Sequence, residues 1–390
     1  MSNLNPMIYF DYAATTPVDP RVMQEMLPYF TEKFGNPSSV HGHGQIAEAA
    51  LDNARTKVAN LLGVRSEEIL FTGCGTESDN LAIRGAGMGQ RRSRNAYHIL
   101  VSPVEHHAVL HTAKQLEEYY GFDVELLPVD QFGRVDPQDV KASLRPNTAL
   151  VSVIYANNEI GTINPIHQIG EVCREAGVLF HSDAVQAAAH LPMDASSANV
   201  DLLAIGAHKF YGPKGVGALF VRRGVEVIPT QTGGNQEYNL RAGTQNIPYI
   251  VGMAKALEFA QTEYITWQER LSALRDRLIE RVLEEIPQSR LTGHPIERLP
   301  NHASFVFKGI DGNQLLMMLD AAGFACSSGS ACKVGNPKPS DVLEAIGISP
   351  IWNKGSLRIT LGHSTVPEHI DRLMEVLPAT IEQLRKISVG

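Results

Sequence analysis

Cysteine is scarce in this 390-residue sequence, and long apolar runs are absent. The four cysteines, Cys74, Cys173, Cys326 and Cys332, are too few and too scattered for the disulfide framework of a small secreted protein. None of them forms a Cys-x-x-Cys pair, so we expect no resident metal site. No stretch approaches about 18 uninterrupted apolar residues, and a transmembrane helix is therefore not predicted.

The sequence also lacks a secretory signal and an excess of positive charge. Its first residues show neither a basic start nor an apolar run, which predicts a cytoplasmic protein. The 34 basic and 42 acidic residues give a net charge of −8, so we expect no direct binding to nucleic acid or to an anionic membrane. Hydrophobic residues make up 43% of the chain, enough for a large core and a second domain.

Apolar, β-rich runs alternate with helix-like stretches between about residues 66 and 222. The runs are EILFT, HILVSP, VELLPV, ALVSVIYA, VLFHSDA, DLLAIGA and VGALFVRR. This alternation predicts an α/β fold with a largely parallel sheet covered by helices on both faces.

A different pattern follows Asn246, where apolar residues recur at helical spacing over YIVGMAKALEFAQTEYITWQERLSALRDRLIERVLEEI. We interpret this stretch as one long helix leading to a smaller α+β domain. That domain has predicted strands at ASFVFKG and SLRITLG, and predicted helices at NQLLMMLDAA, at DVLEAIG and from Val366. We assign residues 16–257 to the large domain, and residues 1–15 with 258–390 to the small one.

Polar residues follow two of the predicted strands. In FTGCGTESDN, Gly75 and Thr76 open a helix whose N–H groups can bind a phosphate, although an ordinary capped helix explains the same pattern. In HSDAVQ, Asp183 can pair with a protonated ring nitrogen and Gln186 can donate to a phenolic oxygen. Asp183 is equally suited to capping the next helix.

Three further segments contain candidate reactive side chains. Lys209 lies in a glycine-rich bend between two strands, where burial lowers the pKa of an amine meant to form a Schiff base; most lysines after strands are simply solvated. His106 can stack on a flat cofactor and transfer protons, or be a surface histidine. Cys332 precedes KVGNPKPS, a Pro/Gly-rich segment that favours exposure and reactivity, whereas Cys326 is expected in the core.

Together, these motifs resemble the cysteine desulfurases of the NifS/IscS type, within class V of the fold-type-I pyridoxal-phosphate enzymes. They are DYAATTP (11–17), FGNPSS (34–39), GTES (75–78), EH (105–106), NNEIG (157–161), DAVQ (183–186), HKFYGPKG (208–215), RAGT (241–244), SSGSAC (327–332) and LRITLG (357–362). The resemblance spans almost the whole chain. It implies pyridoxal 5′-phosphate as cofactor, bound in the large domain, L-cysteine as substrate, a homodimer, and a sulfur acceptor such as an iron–sulfur scaffold.

The resemblance also implies a role for individual residues. Lys209 matches the lysine bonded to the cofactor, Asp183 the partner of the pyridine nitrogen, Gln186 the donor to the phenolic oxygen, and His106 the ring-stacking, proton-transferring histidine. Gly75, Thr76, Gly206, Ala207, His208, and Thr244 contributed by the other subunit match the residues that bind the phosphate. Asn158 matches a cofactor- and substrate-side asparagine, and Arg358 the arginine for the substrate carboxylate. Cys332 matches the nucleophile that becomes a persulfide and can transiently share an iron–sulfur cluster with a scaffold.

Three residues depart from the pattern of the family. Gly206 replaces a serine that is common in relatives, which removes one side-chain donor to the phosphate. His363 stands where relatives commonly have the arginine of Leu-Gly-Arg. Lys333 follows the nucleophile in place of the usual small polar residue. Two other functions fit these residues less well than desulfuration. Another class V activity, such as an aminotransferase or a selenocysteine lyase, does not need the cysteine segment, and a non-catalytic scaffold does not need Lys209 or Arg358.

Overall fold

The computed structural model of the protein describes residues 7–328 and 339–388. The strands are β1 (Ile8–Tyr9), β2 (Ile69–Thr72), β3 (His98–Val101), β4 (Asp123–Leu126), β5 (Thr148–Ser152), β6 (Leu179–Asp183), β7 (Leu202–Gly206), β8 (Gly217–Val221), β9 (Ser289–Leu291), β10 (His302–Phe307), β11 (Phe324–Ala325) and β12 (Ser356–Thr360). Cys332 and Lys333 lie outside the described residues.

The helices follow the same chain order. They are α1 (Pro20–Met26), α2 (Pro28–Thr31), α3 (Gly42–Leu61), α4 (Gly75–Asn80), α5 (Gly87–Arg94), α6 (His107–Tyr120), α7 (Pro137–Ser143), α8 (Ile166–Ala176), α9 (Ile247–Thr262), α10 (Tyr264–Glu285), α11 (Gly312–Ala321), α12 (Asp341–Ala345), α13 (Pro350–Asn353) and α14 (Pro367–Ser388). Within the part of the chain that the structure describes, no helix is both long enough and apolar enough to cross a membrane.

The seven predicted strands form one sheet in the order β2-β8-β7-β6-β5-β3-β4. The pairs from β7 to β4 are parallel, and β8 is antiparallel to both of its neighbours. The predicted α/β fold is therefore confirmed. Five strands, β2, β3, β5, β7 and β8, are buried at every position. β4 lies at the edge and is only partly covered.

Alternate residues of these strands enter two different cores, because successive side chains of a strand point to opposite faces. Leu100 and Val151 pack on one face of the sheet, whereas Ile99 and Leu150 pack on the other. Each core is completed by helices, so the strands need apolar residues at every position. This arrangement explains the uninterrupted apolar runs in the sequence.

The C-terminal part contains a three-stranded antiparallel sheet in the order β12-β10-β9, and β1 pairs with β11 in parallel. The predicted single helix after Asn246 is divided into α9 and α10 at Glu263, whose backbone has φ −102° and ψ −1°. The Glu263 carboxylate accepts hydrogen bonds from Arg21 at 2.7 Å and from the indole N–H of Trp267 at 3.3 Å. These contacts hold the residue at the junction of the two helices.

Candidate active site

A cavity of about 270 Å³ opens at the carboxyl ends of the parallel strands, the edge where open α/β sheets bind ligands. It is lined by Cys74, Gly75, Thr76, Asp79, His106, Ile154, Asn158, Asp183, Val185, Gln186, His208 and Lys209. The structure thus brings together eight of the predicted site residues. Gly206, Ala207 and Thr244 are outside this lining, and the Ala207 N–H donates to the carbonyl oxygen of Val216 at 3.2 Å.

Lys209 lies in a short 3-10 turn directly after β7, which places its amine inside the cavity. Nζ donates to the carbonyl oxygens of Ala13 at 2.6 Å and Ala14 at 2.7 Å. Burial lowers the pKa of Lys209, the positive charge of Arg358 acts in the same direction and Asp183 opposes it, and the resulting pKa is about 8. A usable fraction of the amine is therefore unprotonated near neutral pH, as a nucleophile or base requires.

Asp183 ends β6 and is buried, with Oδ1 accepting from the N–H of Val185 at 2.9 Å. Burial and nearby Asp79 raise the pKa of Asp183, His106 acts in the opposite direction, and the resulting pKa is about 7. Polar atoms of Asp79, His106 and Asp183 lie within 4.8 Å of one another. A cationic ring nitrogen placed here would lower the pKa of Asp183 and favour the carboxylate.

Sequence reasoning missed two buried acids and a buried histidine next to Asp183. Asp79 Oδ1 lies 3.5 Å from His181 Nε2, and neither atom has a hydrogen-bond partner of ordinary geometry within residues 7–328 and 339–388. Both carboxylate oxygens of Glu105 are likewise buried without such a partner, and burial raises the pKa of Glu105 well above its usual range. The sequence contains two signals that could have identified these acids. Asp79 lies one helical turn after Gly75, on the same face of the helix, and Glu105 directly precedes His106.

His106 caps the N-terminus of α6, where its Nδ1 accepts from the N–H of Ala108 at 3.1 Å. A neutral imidazole that accepts at Nδ1 carries its proton on Nε2. Burial lowers the pKa of His106, and the negative charge of Asp183 opposes this effect. The uncharged ring therefore borders the cavity with one N–H to donate.

The N-terminus of a long helical segment borders one end of the cavity. It starts with α4 at Gly75 and continues through a π-helical turn (Leu81–Ala86) into α5. Glu77 lies in the first turn, where Oε2 accepts from the N–H of Gly73 at 2.6 Å and Oε1 from Arg241 at 2.7 Å. Because Arg241 balances the charge of Glu77, the free N–H groups at this end retain their affinity for an anion.

Arg358 is buried in β12 and connects two chain segments near the cavity. Nη2 donates to Asp11 at 2.8 Å, Nη1 donates to the carbonyl oxygen of Asn158 at 3.0 Å, and Nε has no partner among the described residues. The side chain of Gln186 donates to the carbonyl oxygen of Ala13 at 2.8 Å, which also accepts from Lys209. The segment from Asp11 to Ala14 thus joins the Arg358 and Lys209 sides of the site.

The described residues on either side of the predicted cysteine segment lie close to this site. The backbone of Ser327 pairs with that of Arg358, at 3.3 Å and 2.7 Å. Beyond the segment, Ser340 donates to Glu159 at 2.6 Å, and Glu159 directly follows Asn158. Cys326 packs against the core of the C-terminal sheet, and burial raises the pKa of its thiol.

Comparison with known proteins identifies the family. Residues 8–373 match the family model described as aminotransferase class-V. The chain is 47% identical over 388 residues to the cysteine desulfurase IscS of Methanosarcina thermophila, covering 100% of this chain and 95% of that protein. The chain belongs to the cysteine desulfurase branch of the class V aminotransferase family. The family resemblance found in the sequence is therefore confirmed.

Other relatives of this branch agree over nearly their full lengths. The chain is 46% identical to the cysteine desulfurase IscS of Dictyoglomus turgidum, covering 98% of this chain and 96% of that protein. A solved NifS-like protein superposes with a TM-score of 0.87 at 36% identity, covering 98% and 99% of the two chains. A structure described as SspA in complex with cysteine gives 0.80 at 36% identity, covering 92% and 100%.

Proposed function

We propose that the chain is a pyridoxal-phosphate-dependent cysteine desulfurase. It converts L-cysteine to L-alanine and carries the sulfur as a persulfide on Cys332. The observation that carries this proposal is one cavity in which the amine of Lys209, with its lowered pKa, faces Asp183 and His106, with Arg358 close by. The names of the relatives, and the cysteine bound by one structural neighbour, point to the same substrate.

The residues present fit pyridoxal phosphate as the cofactor. Lys209 would hold it covalently, the buried Asp183 would pair with its ring nitrogen, and the helix N-terminus at Gly75 would bind its phosphate. Oδ1 of Asp79, which has no hydrogen-bond partner among the described residues, belongs to a side chain that lines the cavity and fits a polar group there. When bound, the ring accepts the electrons released at the substrate Cα.

The side chains of the cavity divide the proton transfers between them. The unprotonated amine of Lys209 accepts the proton from the substrate Cα, because its pKa lies near the working pH. The neutral imidazole of His106 supplies a second group that donates from Nε2 and then accepts a proton. Arg358 orients the substrate by binding its carboxylate beside Asn158, whose backbone carbonyl oxygen accepts from Nη1.

We propose Cys332 as the nucleophile of the sulfur-transfer step. Its thiolate attacks the substrate sulfur, an S–S bond forms as the C–S bond breaks, and the remaining carbon skeleton takes up protons to become L-alanine. The reaction balances without an external oxidant, since cysteine and an enzyme thiol give alanine and an enzyme persulfide. The described residues before and after this segment, Ser327 and Ser340, contact Arg358 and Glu159 at the site, which supports the assignment.

We further propose that the protein is a cytoplasmic homodimer with the predicted division into two domains, and that it delivers sulfur to a protein such as an iron–sulfur scaffold. Several large apolar side chains between residues 23 and 46 are exposed in the single chain and fit a subunit interface. They are Met23, Leu27, Phe30, Phe34, Val40 and Ile46. In the dimer, Thr244 would bind the cofactor phosphate of the other subunit.

Two substitutions separate the cofactor role from the sulfur role. Lys209→Ala abolishes the absorbance of the covalently bound cofactor. Cys332→Ser keeps that absorbance but loses persulfide and sulfide formation, whereas the matched variant Cys326→Ser retains both. Parent-like sulfide release from Cys332→Ser would contradict the assignment of Cys332. Amino transfer to an added keto acid, without sulfide, would favour an aminotransferase instead.

A further inference from the structure

Three aromatic rings form a continuous stack between the Lys209 turn and the C-terminal part of the chain. The imidazole of His363 lies between Tyr211 and Trp267, with ring centroids 3.7 Å from each and interplanar angles of 13° and 15°. The backbone N–H of His363 also donates to the hydroxyl oxygen of Tyr211 at 2.9 Å. The stack therefore joins three distant parts of the sequence through side chains.

One end of the stack is attached to the lysine turn. Tyr211 is two residues after Lys209 and has a positive φ of 62°, which is uncommon for a bulky residue and persists only where surrounding contacts hold it. Its N–H donates to Thr16 Oγ1 at 2.8 Å, and its carbonyl oxygen accepts from the N–H of Asp19 at 2.9 Å. These bonds and the ring of His363 fix the backbone that follows Lys209.

The other end of the stack is attached to the strand of Arg358. His363 follows β12 by three residues, and Gly362 lies so close to the ring of Tyr12 that an added Cβ would be 2.1 Å from a ring carbon. Arg270 on α10 donates to the carbonyl oxygens of Gly362 and His363 and covers the face of Trp267 at 4.9 Å. The backbone after Arg358 is thereby held in one position.

Both active-site groups meet the same short N-terminal segment. Asp11 binds Arg358 at 2.8 Å, while the carbonyl oxygens of Ala13 and Ala14 accept from Lys209. A shift of the lysine turn against β12 would therefore change the spacing between the amine and the guanidinium group. Small displacements of this kind reduce catalysis strongly, because reacting groups must be aligned closely.

We propose that His363 is a positioning residue that fixes the turn of Lys209 against the strand of Arg358. It thereby sets the distance between the Lys209 amine and the guanidinium group that binds the carboxylate of the amino-acid substrate. Burial lowers the pKa of His363 to about 4, so the ring in the stack is uncharged at neutral pH. The stack requires a planar ring at this position, since the contacts are made by the ring faces.

The test compares His363→Ala with His363→Phe, which keeps a planar ring. In the holoenzyme, His363→Ala is expected to raise the KM for cysteine about tenfold with a smaller change in kcat, whereas His363→Phe stays within about threefold of the parent for both constants. Leu377→Ala, in the core of the C-terminal part, is the control for general destabilisation. It should lower thermal stability without changing KM.

A second measurement does not depend on activity. In the cofactor-free chain, amide hydrogen exchange of residues 208–213 and 361–365 should accelerate together in His363→Ala, and in neither His363→Phe nor Leu377→Ala. Faster amide exchange in only one of the two segments would overturn the proposal. So would an equal loss of exchange protection in His363→Ala and His363→Phe, or an unchanged KM in His363→Ala. The KM readout rests on the proposed function, but the exchange readout remains valid if the substrate is not cysteine.

Discussion

The buried ion pair between Arg55 and Glu237 gives the sharpest stability prediction. Both side chains are almost fully buried, and the guanidinium group binds the carboxylate through two bonds of 2.7 Å and 2.9 Å. Glu237 also accepts from the N–H of Phe71 in β2 at 2.9 Å. It begins three consecutive non-glycine residues with positive φ, at 44°, 57° and 65°. The pair therefore secures a strained turn to the edge of the main sheet.

Arg55→Leu leaves the Glu237 carboxylate buried without its cation. Loss of one partner of a buried pair costs about 3–5 kcal/mol. The double substitution Arg55→Leu/Glu237→Leu should be less destabilising than Arg55→Leu alone, because it leaves no uncompensated charge. The matched surface control is Lys386→Ala, which breaks an exposed pair with Glu382 and should cost less than about 1 kcal/mol.

Urea unfolding measures the loss of stability, and amide exchange at Phe71 reports the local opening, since its acceptor is Glu237. We expect exchange at Phe71 to accelerate in Arg55→Leu before the other β2 amides respond. A cost below about 1 kcal/mol for Arg55→Leu, or unchanged exchange at Phe71, would refute the reasoning.

Three other predictions concern the site. Burial raises the pKa of Glu105 from its ordinary value of 4.5, so the folded cofactor-free chain keeps a proton that the unfolded chain releases, and its stability falls as the pH rises. In thermal melts, Glu105→Gln should therefore be more stable than the parent at pH 7 and lose this advantage towards pH 4. Arg358→Gln should raise the pKa of Lys209 above about 8, and Asp11→Asn should lower it, as measured by the pH dependence of reductive methylation of Lys209. Shifts of the same sign in the two variants would contradict the charge assignment. Gly75→Ala places a Cβ 2.6 Å from Val185 Cγ2 and should weaken cofactor binding in fluorescence titrations, whereas Gly42→Ala, with nothing within 4 Å, should not.

The main sheet could be predicted because each of its strands is an apolar run between polar turns. The runs at EILFT, HILVSP and ALVSVIYA all became strands, since burial on both faces leaves a clear signal in the sequence. The division at Glu263 could not be predicted, because helical spacing continues across it. Its cause is a pair of contacts with Arg21 and Trp267, and the former is more than two hundred residues away in the sequence.

The candidate site shows the same limit for side chains. Lys209, Asp183 and His106 follow strands and were identified from that position, because carboxyl ends of parallel strands converge on one edge. Asp79 lies inside a helix and looks like a surface residue in sequence, yet the structure buries it. Its burial depends on how the helix packs over β7 and β8, which no local pattern encodes.

The contrast between Cys326 and Cys332 shows what the fold adds to the choice of nucleophile. A thiol reacts as the thiolate, so a cysteine whose pKa is raised by an apolar environment is a poor nucleophile at neutral pH. Cys326 is in this state, because it packs against the core beneath the C-terminal sheet. Cys173 is fully buried, and burial raises its pKa to about 12. Burial thus argues against Cys173 and Cys326 as nucleophiles. Of the two remaining cysteines, Cys74 lines the cavity just before α4, and we propose Cys332 because it follows Ser327, whose backbone pairs with that of Arg358.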